Sequence, residues 1–546
     1  MLASSRNSSP VCATAWRYPL YERSLPEVLL DHARNAPDRV FLQDVAGFSA
    51  TYGEVFESSL LWADAWRRLG VNRGDRVAQF MPPGPRYILC WTGLTWIGAI
   101  EVGVNPEYHG EMLYRALHDA GAKAALMHSS LVGRLRDIEA RLPDLEAVVV
   151  FGDDPVAQPL RTKCLTLDEF LGAAEPMDPP ELPKPWDIAS ICYTSGTTGP
   201  SKGVLLPWGQ IEHMADRIFA NLLTEDDAYY MPLPLFHIGG KNFPLLMATR
   251  GGRLVIRERF SASEFWNDTR ETKSTFTVLV GTMASLLLKQ PPTPYDADNP
   301  IWLLWNVPVS ERIEEFQKRF NIPRVMTSYT QTEMGATLVN QFVTEENRHS
   351  AGREVAGVEL KIVDENDIEV PIGQVGQLMV RTAEPWRMNA GYHGRPDATA
   401  AAWRNGWYHS GDAFKRDADG WYYFVDRMKD CVRRGGENIS SLEVERLVDQ
   451  DPAVQTSACV GVPSSLGEED VKVFVQLKPG VSVTENELFE RLVSTMPRFM
   501  LPRYIEFIDE VPKTLNQRVQ KADLRARPAT ERTWDREEHG YAGARR

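Results

Sequence analysis

Cysteine is scarce in this chain. The 546 residues contain six, at positions 12, 90, 164, 192, 431 and 459. They are scattered, with no C-x-x-C pair and no histidine cluster beside them. That spacing offers no zinc-finger-like site and suits a reducing compartment. Positive charge is also in deficit: 60 lysines and arginines stand against 74 acidic residues, for a formal charge of −14. A nucleic-acid partner calls for a basic face, so none is expected. Long apolar runs are missing too. The longest, Ile88 to Ile100, is bounded by Arg86 and Glu101; it is too short to span a bilayer and reads as a buried helix. The opening MLASSRNSSPVCATAW lacks the apolar core of a signal peptide. No internal repeat or low-complexity tract is found. The expectation is a soluble, cytoplasmic protein without membrane insertion.

What is present is ordinary globular composition, 43% hydrophobic and 25% charged, on a chain too long for one core. Helical periodicity alternates with short β-rich runs. SSLLWADAWRRLG reads as a helix stopped by Gly70, DRVAQFM follows as a strand, and AGAKAALM and LEAVVVFG repeat the rhythm. This alternation predicts α/β layers. GQLMVRT (376–382) and GWYYFVD (420–426) alternate apolar and polar residues like strands of a β-rich part. Beyond Arg427 a hairpin, a helix and three strands predict a compact α+β domain. The expected fold is α/β: a large N-terminal domain of layered α/β subdomains plus a β-rich part (16–426), a hinge (427–430) and a small α+β C-terminal domain (431–526). Disordered ends are expected at 1–15 and 527–546.

One stretch carries chemistry. TSGTTGPSKG (194–203) crowds three glycines, several hydroxyls and Lys202 into one loop. Glycine lets backbone N–H groups close around an anion, and hydroxyls and a lysine add donors, so the loop suits phosphate. Its spacing is not that of a Walker loop, because Lys202 is followed by Gly203 and a strand-like VLLP rather than by a helix. A strand–loop–strand unit is predicted, followed by a helix with Ile211, Met214, Ile218 and Leu222 on one face.

Several stretches taken together resemble the adenylate-forming superfamily of acyl-CoA synthetases, luciferases and carrier-loading adenylation domains. They are YTSGTTGPSKG (193–203), LPLFHIGG (233–240), YTQTE (329–333), GQLMVR (376–381), YHSGDAF (408–414), DRMKDCVRRGGENISSLEVE (426–445) and PKTLNQRVQK (512–521). The resemblance runs from about residue 25 to 525, and its texture is similar to the carnitine/crotonobetaine-CoA ligase-like branch. It implies two steps: a carboxylate attacks the α-phosphorus of ATP and releases pyrophosphate, then the thiol of CoA displaces AMP. It further implies Mg²⁺ and a small domain that swings between the steps.

The residue roles follow from the resemblance. Thr194, Ser195, Gly196, Thr197, Thr198, Gly199 and Lys202 would hold the phosphates, with Thr194 and Glu333 on the metal. Asn306, Val307, Pro308, Tyr329 and Thr332 would face the adenine side, with Tyr329 stacking on the base. Asp412 would accept both ribose hydroxyls, a task suited to a carboxylate, and Arg427 would reach the ribose. His237, Gly239, Gly281, Trp305 and Thr330 would line the acyl pocket. Gly435, Gly436 and Glu437 would line the tunnel for the pantetheine arm of CoA. Arg518, Glu333 and His237 would serve catalysis, with Lys429 as the hinge.

The chain departs from the family pattern at three places. Arg518 stands where P-K-T-x-x-G-K carries lysine, Trp305-Asn306-Val307-Pro308 replaces a run of small residues, and Thr330 replaces a common glycine. Arginine keeps the charge but aims a bulkier planar fork. Three readings stay open here: an AMP-forming acid:CoA ligase; a ligase that mainly converts acyl-AMP supplied by a separate adenylating enzyme; and a non-catalytic nucleotide- or acyl-binding protein on the same fold.

Overall fold

The computed structural model describes residues 24–153, 160–194, 201–219, 222–434, 437–464, 469–513, 519–527, 530 and 532–541. The described chain divides into two compact units, one built from residues 1–192, 204–277 and 384–390, the other from 193–203, 278–383 and 391–546.

In the first unit the predicted βα rhythm is realised. A sheet takes the strand order Lys163–Thr166, Ala147–Phe151, Ala122–His128, Arg76–Phe80, Ile100–Val104, Ile188–Tyr193, Gly203–Pro207. The registered pairs from Lys163–Thr166 through Ile188–Tyr193 are parallel. A second layer of strands centres on Ala228–Met231, parallel to Arg253–Ile256, which in turn pairs with Val40–Asp44. Helix Tyr52–Arg68 starts at a capping box, in which Thr51 and Glu54 satisfy each other's backbone N–H. It packs on helix Pro85–Trp96, whose residues from Tyr87 to Trp96 are almost all buried; the apolar run read as one helix from Ile88 to Ile100 is divided, because the helix is capped at Ile97 and Ile100 opens strand Ile100–Val104. Gly93 permits that approach, since a Cβ there would lie 2.6 Å from the Cβ of Trp62. No helix among the described residues is long and apolar enough to cross a membrane.

The second unit is richer in antiparallel structure. Leu303–Val307 runs parallel to Arg324–Gln331, which turns back as Gly335–Asn340. A five-stranded sheet holds Val358–Val363, Gly376–Thr382, Trp403–Arg404, Trp407–Arg416 and Tyr422–Arg427. The C-terminal part opens with the predicted hairpin, Val432–Arg434 against Glu437–Ile439, followed by helix Ser441–Val448. Its sheet orders Val454–Pro463, Glu469–Leu477, Tyr504–Phe507 and Trp534–Asp535.

That last strand corrects the expectation of a disordered tail from 527 onward. Trp534 is buried in the C-terminal core with Phe489, and the ring of Tyr541 lies 4.9 Å from that of Phe489. Ile505 pairs with Trp534 in the sheet. Two large aromatic rings in a charged stretch are enough to dock it. The N-terminal expectation, 1–15, lies outside the described residues.

Candidate active site

Two acidic residues singled out by sequence lie in the second unit, each on a rigid strand or hairpin. Asp412 sits in Trp407–Arg416, directly across from Arg427 in the antiparallel register with Tyr422–Arg427. Its Oδ2 accepts hydrogen bonds from the hydroxyl of Tyr329 at 2.6 Å and the Nε2 of Gln331 at 2.8 Å. The Gln331 amide also donates to the carbonyl of Ser410 at 3.0 Å, locking its side chain. The Tyr329 ring meets Phe414 edge-on, with centroids 4.7 Å apart. Burial pushes the Asp412 carboxyl above the ordinary carboxylate range, against the stabilising hydrogen bond from Tyr329 and the charge of Arg427.

Glu333 stands at the tip of the hairpin between Arg324–Gln331 and Gly335–Asn340. Its Oε1 accepts the hydroxyl of Tyr392 at 2.9 Å. The same tyrosine ring lies 5.0 Å from the Nζ of Lys202. Burial raises the Glu333 carboxyl, and the Tyr392 hydrogen bond and the charge of Lys202 partly oppose it. Tyr392 is fixed in turn: its backbone N–H donates to the Thr399 hydroxyl at 2.9 Å, and the next residue, His393, donates its N–H to the carbonyl of Gly203 at 2.8 Å. One side chain thus touches both the acidic hairpin and the last cation of the glycine-rich loop.

Thr194 begins that loop, its N–H donating to the carbonyl of Lys202 at 3.1 Å and its carbonyl accepting the Ser201 hydroxyl. The rest of the expected phosphate set, Ser195, Gly196, Thr197, Thr198 and Gly199, lies outside the described residues, as do Gly435, Gly436 and Arg518. Glu437 and Gly281 are placed in the backbone, in a strand and at a helix start.

Of the residues expected to face adenine or the acyl pocket, Trp305, Asn306 and Val307 lie on strand Leu303–Val307, with Pro308 after it. Trp305 is buried. Asn306 ties the local structure together: its Nδ2 donates to the carbonyl of Leu279 at 2.8 Å, and its Oδ1 accepts from the N–H of Ser310 at 2.7 Å. Thr332 is buried and Thr330 half-buried, opposite Ala336 in the register. Arg427 ends its strand and Lys429 lies in the turn that follows, where the N–H groups of Asp430 and Cys431 both reach the carbonyl of Arg427. Burial pulls the Lys429 ammonium down to about 8, helped by the nearby Arg427 and Arg525 and opposed by Asp430.

In the first unit His237 caps the short helix Ile238–Lys241. Its Nδ1 accepts the N–H of Gly239 at 3.1 Å, which leaves the proton of the neutral ring on Nε2. Gly239 sits against that ring, since a Cβ there would lie 3.4 Å from Nδ1.

Tyr392 and the amide of Gln331 are the two contacts that sequence reading missed. Gln331 stood inside the quoted YTQTE, but its reach to Asp412 depends on strands far apart in the chain. Tyr392 follows GQLMVR by about a dozen residues, in an AGYHG stretch whose glycines flag a turn and nothing more. For a divalent cation the donor set is chemically apt. The hydroxyl of Thr194 and the carboxylate of Glu333 are hard oxygens, and a single half-buried carboxylate suits an ion that keeps waters and phosphates as its other ligands.

Comparison with known proteins identifies the family and the fold. Residues 29–393 match the AMP-binding enzyme family and residues 443–518 its C-terminal domain. A crotonobetaine/carnitine–CoA ligase of Salmonella arizonae is 30% identical over 472 residues, covering 85% of this chain and 90% of the relative. The enzyme of that name from Citrobacter koseri is 29% identical over 485 residues, 87% of this chain and 93% of the relative. Among solved structures, the anthranilate CoA ligase AuaEII in complex with anthranoyl-AMP superposes with a TM-score of 0.79 at 23% identity, covering 93% of this chain and 98% of that one. ATP-bound MatB from Rhodopseudomonas palustris gives 0.80 at 23% identity, covering 92% and 98%.

Proposed function

Because the chain belongs to the AMP-binding enzyme family, we propose that it is an AMP-forming acid:CoA ligase. It joins a carboxylic acid to AMP at the expense of ATP and passes the acyl group to the thiol of CoA. The observation that carries this reading is the pair of acidic positions, Asp412 and Glu333, each held by neutral donors from fixed strands and turns and each raised by burial. A protein gains little stability from such carboxylates, whereas a nucleotide gains two acceptors and a metal a ligand.

In this reading Asp412 accepts the ribose hydroxyls, with Gln331 and Tyr329 keeping its carboxylate aimed. Tyr329 presents its ring toward the base. Thr194 and Glu333 would hold Mg²⁺, which when bound neutralises phosphate charge. Tyr392 holds Glu333 in one rotamer and its ring faces the Lys202 ammonium, an arrangement that steadies both groups beside the phosphates. Lys202, with the loop 195–199, spreads the charge of the leaving pyrophosphate. His237 faces the acid with its Nε2–H, a donor suited to a carboxylate. Arg518 brings positive charge to the α-phosphate and carboxylate during adenylation, and it can grip two oxygens. Gly435, Gly436 and Glu437 line the path of the CoA arm, and the turn carrying Lys429 is the hinge between the domain ending at 426 and the one starting at 431. Cytoplasmic residence fits ATP and CoA as substrates.

The two other readings find no support in the relatives, which are named as ligases. The test is a panel of carboxylic acids that includes crotonobetaine, carnitine and anthranilate. ATP-dependent pyrophosphate release and acyl-CoA formation are followed in parallel. Coupled, acid-dependent formation of both products is expected. Acyl-CoA formed only from supplied acyl adenylate would overturn the reading.

A further inference from the structure

A second cluster of charge lies deep in the first unit, and the reaction as described makes no use of it. Lys241 and Glu101 are both 0% exposed and form an ion pair, Nζ to Oε2, at 2.7 Å. The hydroxyl of Tyr87 donates to Glu101 Oε1 at 2.5 Å, and that of Ser190 donates to Oε2. The Lys241 ammonium also faces the rings of Trp91 at 4.3 Å and Tyr87 at 4.8 Å. The members come from four places in the chain: strand Ile100–Val104, strand Ile188–Tyr193, helix Pro85–Trp96 and the end of the LPLFHIGGK segment.

Burying an ion pair brings little net stability, because desolvation cancels most of the attraction, and an apolar pair of the same volume often does as well. Its geometry is better suited to fixing one arrangement. Lys241 closes the short helix that His237 opens. Glu101 lies opposite Ser190 in the parallel register, and Gly103 opposite Cys192. The same two segments meet again there, where the Cys192 thiol donates to the carbonyl of Phe236 at 3.3 Å. Gly103 is needed for that approach, since a Cβ would come within 2.9 Å of the Phe236 Cα and 3.0 Å of the Tyr87 hydroxyl. Strand Ile188–Tyr193 runs directly into the glycine-rich loop, and Phe236 precedes His237.

We infer that the Glu101–Lys241 pair, with Tyr87 and Ser190, is a positioning device. It pins the His237-bearing segment to the strand that enters the glycine-rich loop, and so sets where the acid's carboxylate is received. The inference rests on the acid-activating reading for its kinetic consequence, though not for its structural one.

The double variant Glu101→Gln/Lys241→Met tests it. Glutamine keeps an acceptor for Tyr87 and a group for Ser190, and methionine refills the lysine stem, so the neutral pair is expected to fold with a melting temperature close to wild type. The prediction is a rise of about tenfold or more in KM for whichever panel acid gives the highest wild-type rate, as expected when a positioned group is displaced by a fraction of an ångström. AMP affinity by calorimetry stays within about twofold, because the contacts of Asp412 and Tyr329 are untouched. Hydrogen exchange speeds up in residues 188–192 and 233–241, while strand Ala122–His128 keeps its protection. Tyr87→Phe, which removes one hydroxyl and leaves the ion pair, shows the same pattern at smaller size. A folded double variant with unchanged acid KM and unchanged exchange in both segments would overturn the inference. So would a Tyr87→Phe variant whose AMP and acid constants fall together. If no panel acid supports turnover by wild type, it is the ligase reading that fails, and the exchange experiment still decides the positioning claim.

Discussion

Two sets of carboxylates, one in each unit, are held in opposite ways, although the second unit also has cation-paired acids such as Glu506 with Lys472 and Glu445 with Lys521. In the first unit Glu101 meets Lys241, and Glu212 meets Arg387, whose Nε also reaches Glu384 at 2.9 Å. These acids are in direct contact with cations, with side chains from 0% to 5% exposed for the Glu101–Lys241 and Glu212–Arg387 pairs. In the second unit Asp412 is met by a phenol and an amide and Glu333 by a phenol, with Arg427 and Lys202 acting from further off. Burial raises both of these carboxyls. Charge satisfied within the protein is architecture; charge oriented by neutral donors is prepared for a ligand that brings its own hydroxyls or cation.

The sharpest way to separate the two kinds is to remove a cation from the first unit. Arg387→Met removes the cation that meets the buried Glu212, while Glu384 keeps Arg217, and is expected to cost about 3–5 kcal/mol of stability. Thermal and urea unfolding read the loss, and AMP affinity of the folded fraction is expected to stay unchanged. A large loss of AMP affinity with unchanged stability would erase the distinction between the two kinds of carboxylate.

Glu333→Gln works in the other direction. The amide still accepts from Tyr392, so folding is preserved. ATP-dependent pyrophosphate release is expected to fall on the order of 10²–10³-fold, as a missing metal ligand should cause. Calorimetry of ATP binding with and without Mg²⁺ checks the cause, because the variant should bind the two forms alike.

Asp412→Asn is expected to cost about 1.5–3 kcal/mol of AMP binding, the worth of a hydrogen bond to a charged group, while leaving the unliganded protein as stable or more so. The sign follows from linkage. A carboxyl raised in the folded state binds more protons than in the unfolded state between its ordinary pKa and its raised one, so stability falls as pH rises through that window. Asp412→Asn removes its share of that fall. Unfolding followed from pH 7 toward the ordinary carboxylate range should therefore show a smaller gain in the variant than in wild type.

Tyr392→Phe gives the smallest effect. It keeps the ring beside Lys202 and removes one hydrogen bond to Glu333, worth about 1 kcal/mol. A rise of several-fold in the Mg²⁺ concentration needed for half-maximal ATP binding is expected, with AMP affinity unchanged.

Much of this was legible in the sequence because it is local. The strands on either side of TSGTTGPSKG and the hairpin at VRRGGENI follow from short-range pattern and glycine placement. The buried helix in the run from Ile88 was readable for the same reason. What escaped depends on tertiary packing. Gln331 and Asp412 are separated by 81 positions and Tyr392 and Glu333 by 59, so only the packing of distant segments brings them together. Nothing near Lys241 in the chain announces its ion pair with the distant Glu101. Trp534 was hidden by the charge around it, although its ring closes the C-terminal core.

Acid-dependent exchange of labelled pyrophosphate into ATP, measured without CoA across the acid panel, tests the central claim most directly. It isolates the step in which Asp412, Glu333 and Arg518 are asked to act on a nucleotide and an acid together. The account predicts exchange that requires both the acid and Mg²⁺, is lost in Glu333→Gln, and gives way to acyl-CoA when CoA is added. No exchange with any acid, together with brisk acyl-CoA formation from supplied acyl adenylate, would contradict it.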